Sequence, residues 1–183
     1  YNFMLTGIKE VAAELDQLEI PFHLLLGAPH DTIPRFVADH NIGTLVTDFS
    51  PLKIYRIWKQ KITKQITIPF YEVDAHNIVP CWYVSAKQEF GAYTLRPKLN
   101  RQLDTFLVEF PSVKKHSLNV PYIKPPLNWE AAEKSLAIDY SVKPVQWCLP
   151  GTKAGLMQVD LFLSEKLGNF LEHRNDPNAV GQS

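Results

Sequence analysis

Thr44-Leu-Val-Thr-Asp-Phe-Ser-Pro-Leu52 opens the stretch of sequence that decides the fold. A basic amphipathic run follows, and Ile68-Pro-Phe-Tyr-Glu-Val-Asp74 then repeats the pattern of a short apolar segment that ends in an acidic residue. Two such strands with a helix between them predict a β-α-β unit with parallel strands. Because the polar residues collect where the strands end, we expect a ligand to bind at that edge of the sheet.

The residues before this unit extend the same pattern. Apolar residues at helical spacing predict an amphipathic helix over residues 2–18. The near-continuous apolar run Ile20–Leu26 predicts another strand, covered on both faces. The order of strands and helices therefore predicts an α/β fold, a Rossmann-like parallel sheet with flanking helices.

Two helix starts are predicted from capping residues. Asp31 or Thr32 is expected to cap the second helix, with Pro34 near its first turn. Ser50 is expected to cap the third helix, which would begin at Pro51. The outer face of that helix is basic and could touch phosphate, although a solvated face is the simpler interpretation; its cations are Lys53, Arg56, Lys59, Lys61 and Lys64.

After Trp82 the pattern becomes helical and irregular. Helices are predicted over 96–110, over 129–138 with Asn128 as the cap, and over 151–170. The proline-rich residues 111–128 suit an extended linker without a core of its own.

The composition limits the classes of protein. The chain has 183 residues, a hydrophobic fraction of 45% and a formal net charge of zero, which suits a folded domain and gives no global sign of nucleic-acid binding. Its two cysteines form no disulfide framework or metal motif, and no run is long enough to span a membrane. We therefore expect an intracellular protein with reduced thiols and no membrane partner.

The candidate ligand residues follow the second and third predicted strands. They are Asp48, Phe49, Ser50, Asp74 and Asn77. Ordinary helix-start and turn chemistry would also place acids, serine and asparagine at these positions. The sequence contains no metal-type spacing, no G-x-S-x-G elbow, no G-x-G-x-x-G and no Walker A motif. From the residues alone, a ligand edge is expected and no catalytic residue or metal ligand is assigned.

Six short segments resemble, in order, the class II cyclobutane pyrimidine dimer photolyases of the photolyase and cryptochrome superfamily. They are Tyr1-Asn-Phe-Met4, Leu45-Val-Thr-Asp-Phe-Ser-Pro-Leu52, Pro69-Phe-Tyr-Glu-Val-Asp-Ala-His-Asn-Ile-Val-Pro-Cys-Trp82, Tyr93-Thr-Leu-Arg-Pro-Lys98, Pro150-Gly-Thr-Lys-Ala-Gly155 and Arg174-Asn-Asp-Pro-Asn178. The last two look most like the animal versions, which favours a eukaryotic source.

The resemblance implies an enzyme of two domains. Residues 1–110 would belong to the α/β domain, 111–150 to the connector, and 151–183 to the first helix leading into a helical domain that binds FAD and damaged DNA. Light-excited reduced FAD would donate an electron that splits the dimer, making the full-length protein a deoxyribodipyrimidine photo-lyase. The α/β domain would hold a deazaflavin-type antenna, and Asp48, Phe49, Ser50, Asp74 and Asn77 would form its pocket or walls.

The resemblance also implies that the chain is truncated. The first strands of the family are expected before Tyr1 and its flavin motif after Ser183, so this piece alone should be inactive. No flavin-binding, lesion-binding or electron-transfer residue is assigned within it. We expect the full-length protein to be a monomer that binds UV-damaged DNA, in the nucleus of a eukaryote or the cytoplasm otherwise.

Two alternatives remain open at this point. One is a stand-alone α/β module that binds a chromophore or nucleotide. The other is a photoreceptor of cryptochrome type, which shares the fold and does not repair DNA.

Overall fold

The structure is a computed structural model that describes residues 1–117 and 121–179. The chain divides into two compact units. We call Leu25–Val113 the sheet unit, and Tyr1–Leu24 together with the chain from Lys114 onward the helical unit.

The sheet unit is built on the predicted β-α-β motif. Strands β1 (Leu45–Asp48) and β2 (Phe70–Val73) pair in parallel, with Leu45 opposite Phe70 and Asp48 opposite Val73. Helix α3 (Lys53–Thr63) connects them, and helix α2 (Pro29–Asp39) packs beside α3. The fold class predicted from the sequence is therefore confirmed.

One face of this sheet is covered by helices and the other is open. Val37 of α2 and Ile62 of α3 are buried, and they anchor the helices against the face that carries Leu45 and Phe70. Neighbouring residues of a strand point to opposite faces, so Val46 and Tyr71 lie on the other side, where they are 59% and 58% exposed.

Short helices follow the second strand in the sheet unit. They are α4 (Cys81–Val84), α5 (Ala92–Asn100) and α6 (Leu103–Phe106). The single helix predicted over 96–110 is therefore wrong in its bounds. It starts earlier, at Ala92 after the extended Gly91, and the chain leaves helical geometry after Phe106.

The helical unit contains α1 (Asn2–Gln17), α7 (Trp129–Ser135) and a long C-terminal helical segment. That segment consists of α8 (Thr152–Leu161), a π-helical turn (Phe162–Lys166), a 3₁₀ turn (Leu167–Asn169) and α9 (Phe170–His173). The predicted cap of α7 is confirmed, because the Asn128 side chain accepts a hydrogen bond from the Ala131 N–H at 2.9 Å.

A carboxylate from α1 anchors the start of α8. Glu10 accepts a hydrogen bond from the backbone N–H of Lys153 at 3.0 Å, which satisfies one of the free amides at the helix N-terminus. Gly151 precedes the helix with φ of 101°. A Cβ atom at Gly151 would displace the end of the flexible Glu10 side chain, and the positive φ is the feature that favours glycine here.

The extended linker is held to the end of α1 by charged and polar contacts. Asp16 accepts hydrogen bonds from the Tyr122 hydroxyl at 2.6 Å and from the Lys124 ammonium at 2.5 Å. Lys115 forms an ion pair with Glu19. The hydrogen bond to Asp16, with burial second, raises the pKa of Tyr122 to about 12.

Two local predictions are wrong. Residues Ile20–Leu26 form no strand, because a strand needs a hydrogen-bonded partner and the described residues pair only β1 with β2. Helix α2 begins at Pro29 rather than after Asp31 or Thr32, since the fixed φ of proline suits the first helical position. Pro34 consequently lies inside the helix. The domain boundaries at 110 and 150 stay predictions.

No helix within the described ranges is both long enough and apolar enough to span a bilayer.

Candidate functional site

The carboxyl ends of β1 and β2 lie side by side, as the parallel pairing requires. Asp48 is the last residue of β1 and pairs with Val73, the last residue of β2. The ladder continues one step further, because the Phe49 N–H donates to the Val73 carbonyl at 2.7 Å. The loops that carry the predicted site residues therefore leave the sheet at the same edge.

Asp74 organises the loop that follows β2. Its carboxylate accepts hydrogen bonds from the backbone N–H groups of His76 at 3.3 Å, Asn77 at 3.2 Å and Cys81 at 2.9 Å. The Asn77 side-chain amide donates to both carboxylate oxygens, at 3.0 and 2.9 Å. The Asp74 side chain thus closes the loop onto the start of α4.

The electrostatics of Asp74 agree with this role. The residue is only 5% exposed. Burial acts to raise the pKa of its carboxyl, but the hydrogen bonds from Asn77, Cys81 and His76 outweigh it, and the pKa is lowered overall. Since its oxygens are occupied by protein donors, Asp74 shapes the wall of the edge and presents little to a ligand.

Asp48 lies in a different environment, on a cleft between the sheet and the helices α2 and α3. The cleft has a volume of about 260 Å³. Its walls are largely apolar and aromatic and include Ile33, Tyr55, Trp58, Ile62 and Phe70. The rings of Tyr55 and Trp58 meet edge to face with centroids 5.2 Å apart. Asp48 ends β1 at this cleft, with its side chain on the same exposed side of the strand as Val46, and the aromatic walls can hold a planar ligand.

Phe49 and Ser50 form the turn that leads from β1 to α3. The Phe49 ring contacts the edge of Trp82 with centroids 5.8 Å apart, and the Lys59 ammonium lies 5.9 Å from its centroid. Ser50 accepts a hydrogen bond from the Leu52 N–H at 3.4 Å. Helix α3 starts at Lys53, so Ser50 stabilises the turn before the helix and is not its cap.

Asn77 borders a second cleft, of about 440 Å³, between the loop after β2 and α5. Apolar residues form much of its wall: Val79, Leu95, Leu99 and Leu103. The structure therefore places Asp48 and Asn77 on separate clefts of the sheet unit. The five predicted residues share the edge of the sheet but do not converge on one cavity.

The sequence did not reveal a polar cluster on the rim of this second cleft. Glu89 accepts hydrogen bonds from Ser85 at 2.7 Å and from Lys98 at 2.5 Å, and Lys98 also donates to Ser85 at 3.1 Å. The Lys98 hydrogen bond, followed by that of Ser85, lowers the pKa of Glu89 to about 2. Because Lys98 of α5 donates to both Glu89 and Ser85, the cluster fixes α5 against the preceding loop.

Basic residues line a third cleft, on the helix whose cations the sequence analysis named as a possible phosphate contact. It lies between α3 and β2, has a volume of about 520 Å³, and contains Arg56, Lys59 and Lys64. The helical periodicity of residues 53–64 was the available signal, since it places Arg56 and Lys64 near one face of α3.

The comparisons with known proteins agree with the fold and with the motif order. A family model described as DNA photolyase matches residues 1–115. A deoxyribodipyrimidine photo-lyase from Potorous tridactylus is 47% identical over 180 residues, which cover 97% of this chain and 34% of the relative. The enzyme of the same name from Arabidopsis thaliana is 37% identical over 185 residues, covering 96% of this chain and 37% of the relative.

A third relative, a deoxyribodipyrimidine photo-lyase from Oryza sativa, is 32% identical over 189 residues that cover 96% of this chain and 37% of the relative. The chain thus spans about a third of the length of the curated relatives that it matches. With the family model matched over 1–115, the chain belongs to the DNA photolyase family.

Proposed function

We propose that this chain is part of a light-driven deoxyribodipyrimidine photolyase that repairs cyclobutane pyrimidine dimers in UV-damaged DNA. The observation that carries the proposal is the 47% identity to a relative of that name over 97% of the chain. The parallel β1–β2 unit with its loops at the carboxyl edge supports the same assignment.

The repair chemistry is assigned to FAD. Reduced FAD, when bound and excited by light, supplies the electron that splits the cyclobutane ring. We assign no residue of this chain to the flavin, because the residues at the sheet edge are engaged in local structure or line small clefts. We propose that FAD binds the portion of the full-length protein that corresponds to the rest of the relatives.

We further propose that the cleft beside Asp48 is where a deazaflavin-type antenna would bind, with Phe49, Ser50, Asp74 and Asn77 shaping the surrounding edge. The aromatic walls favour a planar chromophore. The volume of about 260 Å³ is slightly below the roughly 300 Å³ at which small-molecule sites begin. Side chains at the mouth of the cleft must therefore move for a three-ring chromophore to enter.

Binding of the antenna is tested by its own absorbance. The full-length protein should retain a deazaflavin through gel filtration, and Asp48→Ala should reduce the retained fraction at least several-fold. Thr63→Ala is the matched control on α3, since Thr63 lies on the basic cleft and not on this one. If the wild type and Asp48→Ala retain the same fraction of deazaflavin, the assignment of Asp48 to the antenna site is contradicted.

The partners and the compartment follow from the proposed activity. We expect the full-length protein to bind damaged DNA as a monomer, in the nucleus of a eukaryote or the cytoplasm otherwise. Sedimentation velocity on the full-length protein, with and without a dimer-containing duplex, measures both the oligomeric state and DNA binding.

Survival of UV-irradiated cells tests the proposed function. A bacterial strain without photolyase or excision repair should regain survival at least tenfold when it expresses the full-length protein and is exposed to blue light. The same cells kept in the dark are the control. Survival that is equal in light and dark, in cells that contain the folded flavoprotein, would favour a photoreceptor of cryptochrome type and contradict the repair function.

A further inference from the structure

The basic cleft between α3 and β2 has a volume of about 520 Å³. Its wall on α3 carries Arg56, Lys59, Gln60, Thr63 and Lys64, and its wall on the sheet carries Thr47, Phe70, Tyr71 and Glu72. Neither the repair chemistry nor the antenna assignment uses this surface.

The cations of α3 differ in their partners. Lys59 forms an ion pair with Glu72 across the cleft, and the Lys61 ammonium lies 3.3 Å from His30 Nε2. Within the described ranges, no carboxylate pairs with Arg56 or Lys64, and both are exposed. The cleft therefore keeps two unneutralised positive charges, because its single carboxylate is already paired.

The spacing of these charges indicates the shape of the ligand. Arg56 and Lys64 are eight residues apart on one helix, which corresponds to about 12 Å along its axis. That distance is too wide for both to hold one phosphate. It is wide enough to reach more than one phosphate of a DNA strand, which carries one phosphate per about 3.4 Å of helix axis.

Neutral donors lie between the two charges. Gln60 and Thr63 carry an amide and a hydroxyl group on the same cleft, and such side chains commonly contact backbone phosphates alongside arginine and lysine. A linear array of donors that ends in a cation on each side suits a polyanion better than a single small anion.

We propose that this cleft binds the sugar-phosphate backbone of duplex DNA, as a contact on the α/β domain separate from the dimer. The inference rests on the proposed function, which supplies DNA as the partner. The contact is independent of base sequence, adds affinity through counterion release, and guides the protein along undamaged DNA.

The salt dependence of binding to undamaged duplex DNA tests this contact. Removing two phosphate contacts lowers the slope of log K against log salt by about 1.8. Between 50 and 200 mM salt, the wild-type full-length protein should consequently lose about twelvefold more affinity than Arg56→Gln/Lys64→Gln. Fluorescence anisotropy with a labelled duplex measures both slopes.

A second double variant controls for net charge. Arg101→Gln/Lys143→Gln removes the same two charges from exposed positions outside the cleft and should keep the wild-type slope within about 0.5. A wild-type slope in Arg56→Gln/Lys64→Gln, or an equal decrease in both double variants, would overturn the inference.

Repair separates failure of this inference from failure of the proposed function. If the wild-type protein repairs dimers but has the same salt slope as Arg56→Gln/Lys64→Gln, only the proposed backbone contact is contradicted. Absence of repair by the wild type would contradict the photolyase function, and the slopes would still report whether the cleft binds DNA.

Discussion

Replacement of Asp74 by asparagine should destabilise the sheet unit far more than the same change at Asp48. The asparagine side chain has nearly the same volume as that of aspartate, but it is uncharged and has only one oxygen that can accept hydrogen bonds. The Asp74 carboxylate accepts from three backbone N–H groups and from the Asn77 amide. We expect two of these bonds to be lost, at about 1.5 kcal/mol for each hydrogen bond to a charged group, which gives about 3 kcal/mol.

Hydrogen exchange at the Cys81 amide is the most local assay, because that N–H donates directly to Asp74 at 2.9 Å. A loss of about 3 kcal/mol should accelerate its exchange by roughly 100-fold. The midpoint of thermal unfolding should fall by about 6–12 °C. Asp48→Asn is the matched control at the end of the neighbouring strand, where the carboxylate is exposed, and it should change stability by less than about 0.5 kcal/mol.

The stabilisation by Asp74 should depend on pH in one direction only. The pKa of Asp74 is lowered in the folded protein, so its stabilising contribution is complete above the unfolded pKa of about 3.9 and is lost as the pH falls through the folded value. The difference in stability between the wild type and Asp74→Asn should therefore be constant from pH 5 to 7 and shrink below pH 4. Equal destabilisation by Asp48→Asn, or a difference that grows in acid, would refute the reasoning.

The helical unit gives two more predictions. Gly151→Ala should destabilise the protein by about 2 kcal/mol, because alanine rarely adopts the positive φ of this position. Gly155→Ala, in open space within α8, should stabilise it by up to about 1 kcal/mol. Thermal unfolding of both variants compares them, and equal midpoints would contradict the backbone strain at Gly151. Asp16→Asn should lower the pKa of Tyr122 from about 12 towards 10, as measured by ultraviolet titration against Tyr122→Phe. Because the pKa of Tyr122 is raised in the folded protein, the stabilisation by its hydrogen bond to Asp16 is complete below about pH 10 and is lost as the pH rises through about 12. An unchanged pKa of the Tyr122 phenol in Asp16→Asn would contradict this hydrogen bond.

The sequence predicted the central fold because its signals there are local. The alternation of apolar strand and amphipathic helix between Thr44 and Asp74 requires no distant partner, and β1, α3 and β2 were confirmed. Asn128 was confirmed as a cap for the same reason, since its hydrogen bond reaches only three residues ahead. Residues Ile20–Leu26 failed because a strand depends on a partner that its own sequence cannot specify.

The candidate site was predicted in position but not in detail. Parallel strands must bring Asp48 and Asp74 to one edge, and residue type suggested ligand contact for both. The structure separates them: Asp74 is buried under protein donors, while Asp48 is exposed on a cleft. Turn chemistry and ligand chemistry use the same residue types, so only the hydrogen-bond partners distinguish the two roles.

The basic face of α3 shows a similar limit. Helical spacing identified its five cations, but not the partners that each of them contacts. Glu72 pairs with Lys59 across 13 positions in the sequence, and His30 meets Lys61 across 31. Such pairings depend on how the helix lies against its neighbours, and they leave Arg56 and Lys64 available.

Light-dependent repair by the purified full-length protein tests the central claim most directly. The protein would be mixed with a duplex that contains one defined cyclobutane thymine dimer, illuminated with blue light under reducing conditions, and the restored thymines quantified by chromatography. The photolyase assignment predicts repair in the light and none in the dark, with the yield rising with illumination. A folded, flavin-loaded protein that binds the duplex and leaves the dimer intact after illumination would contradict it.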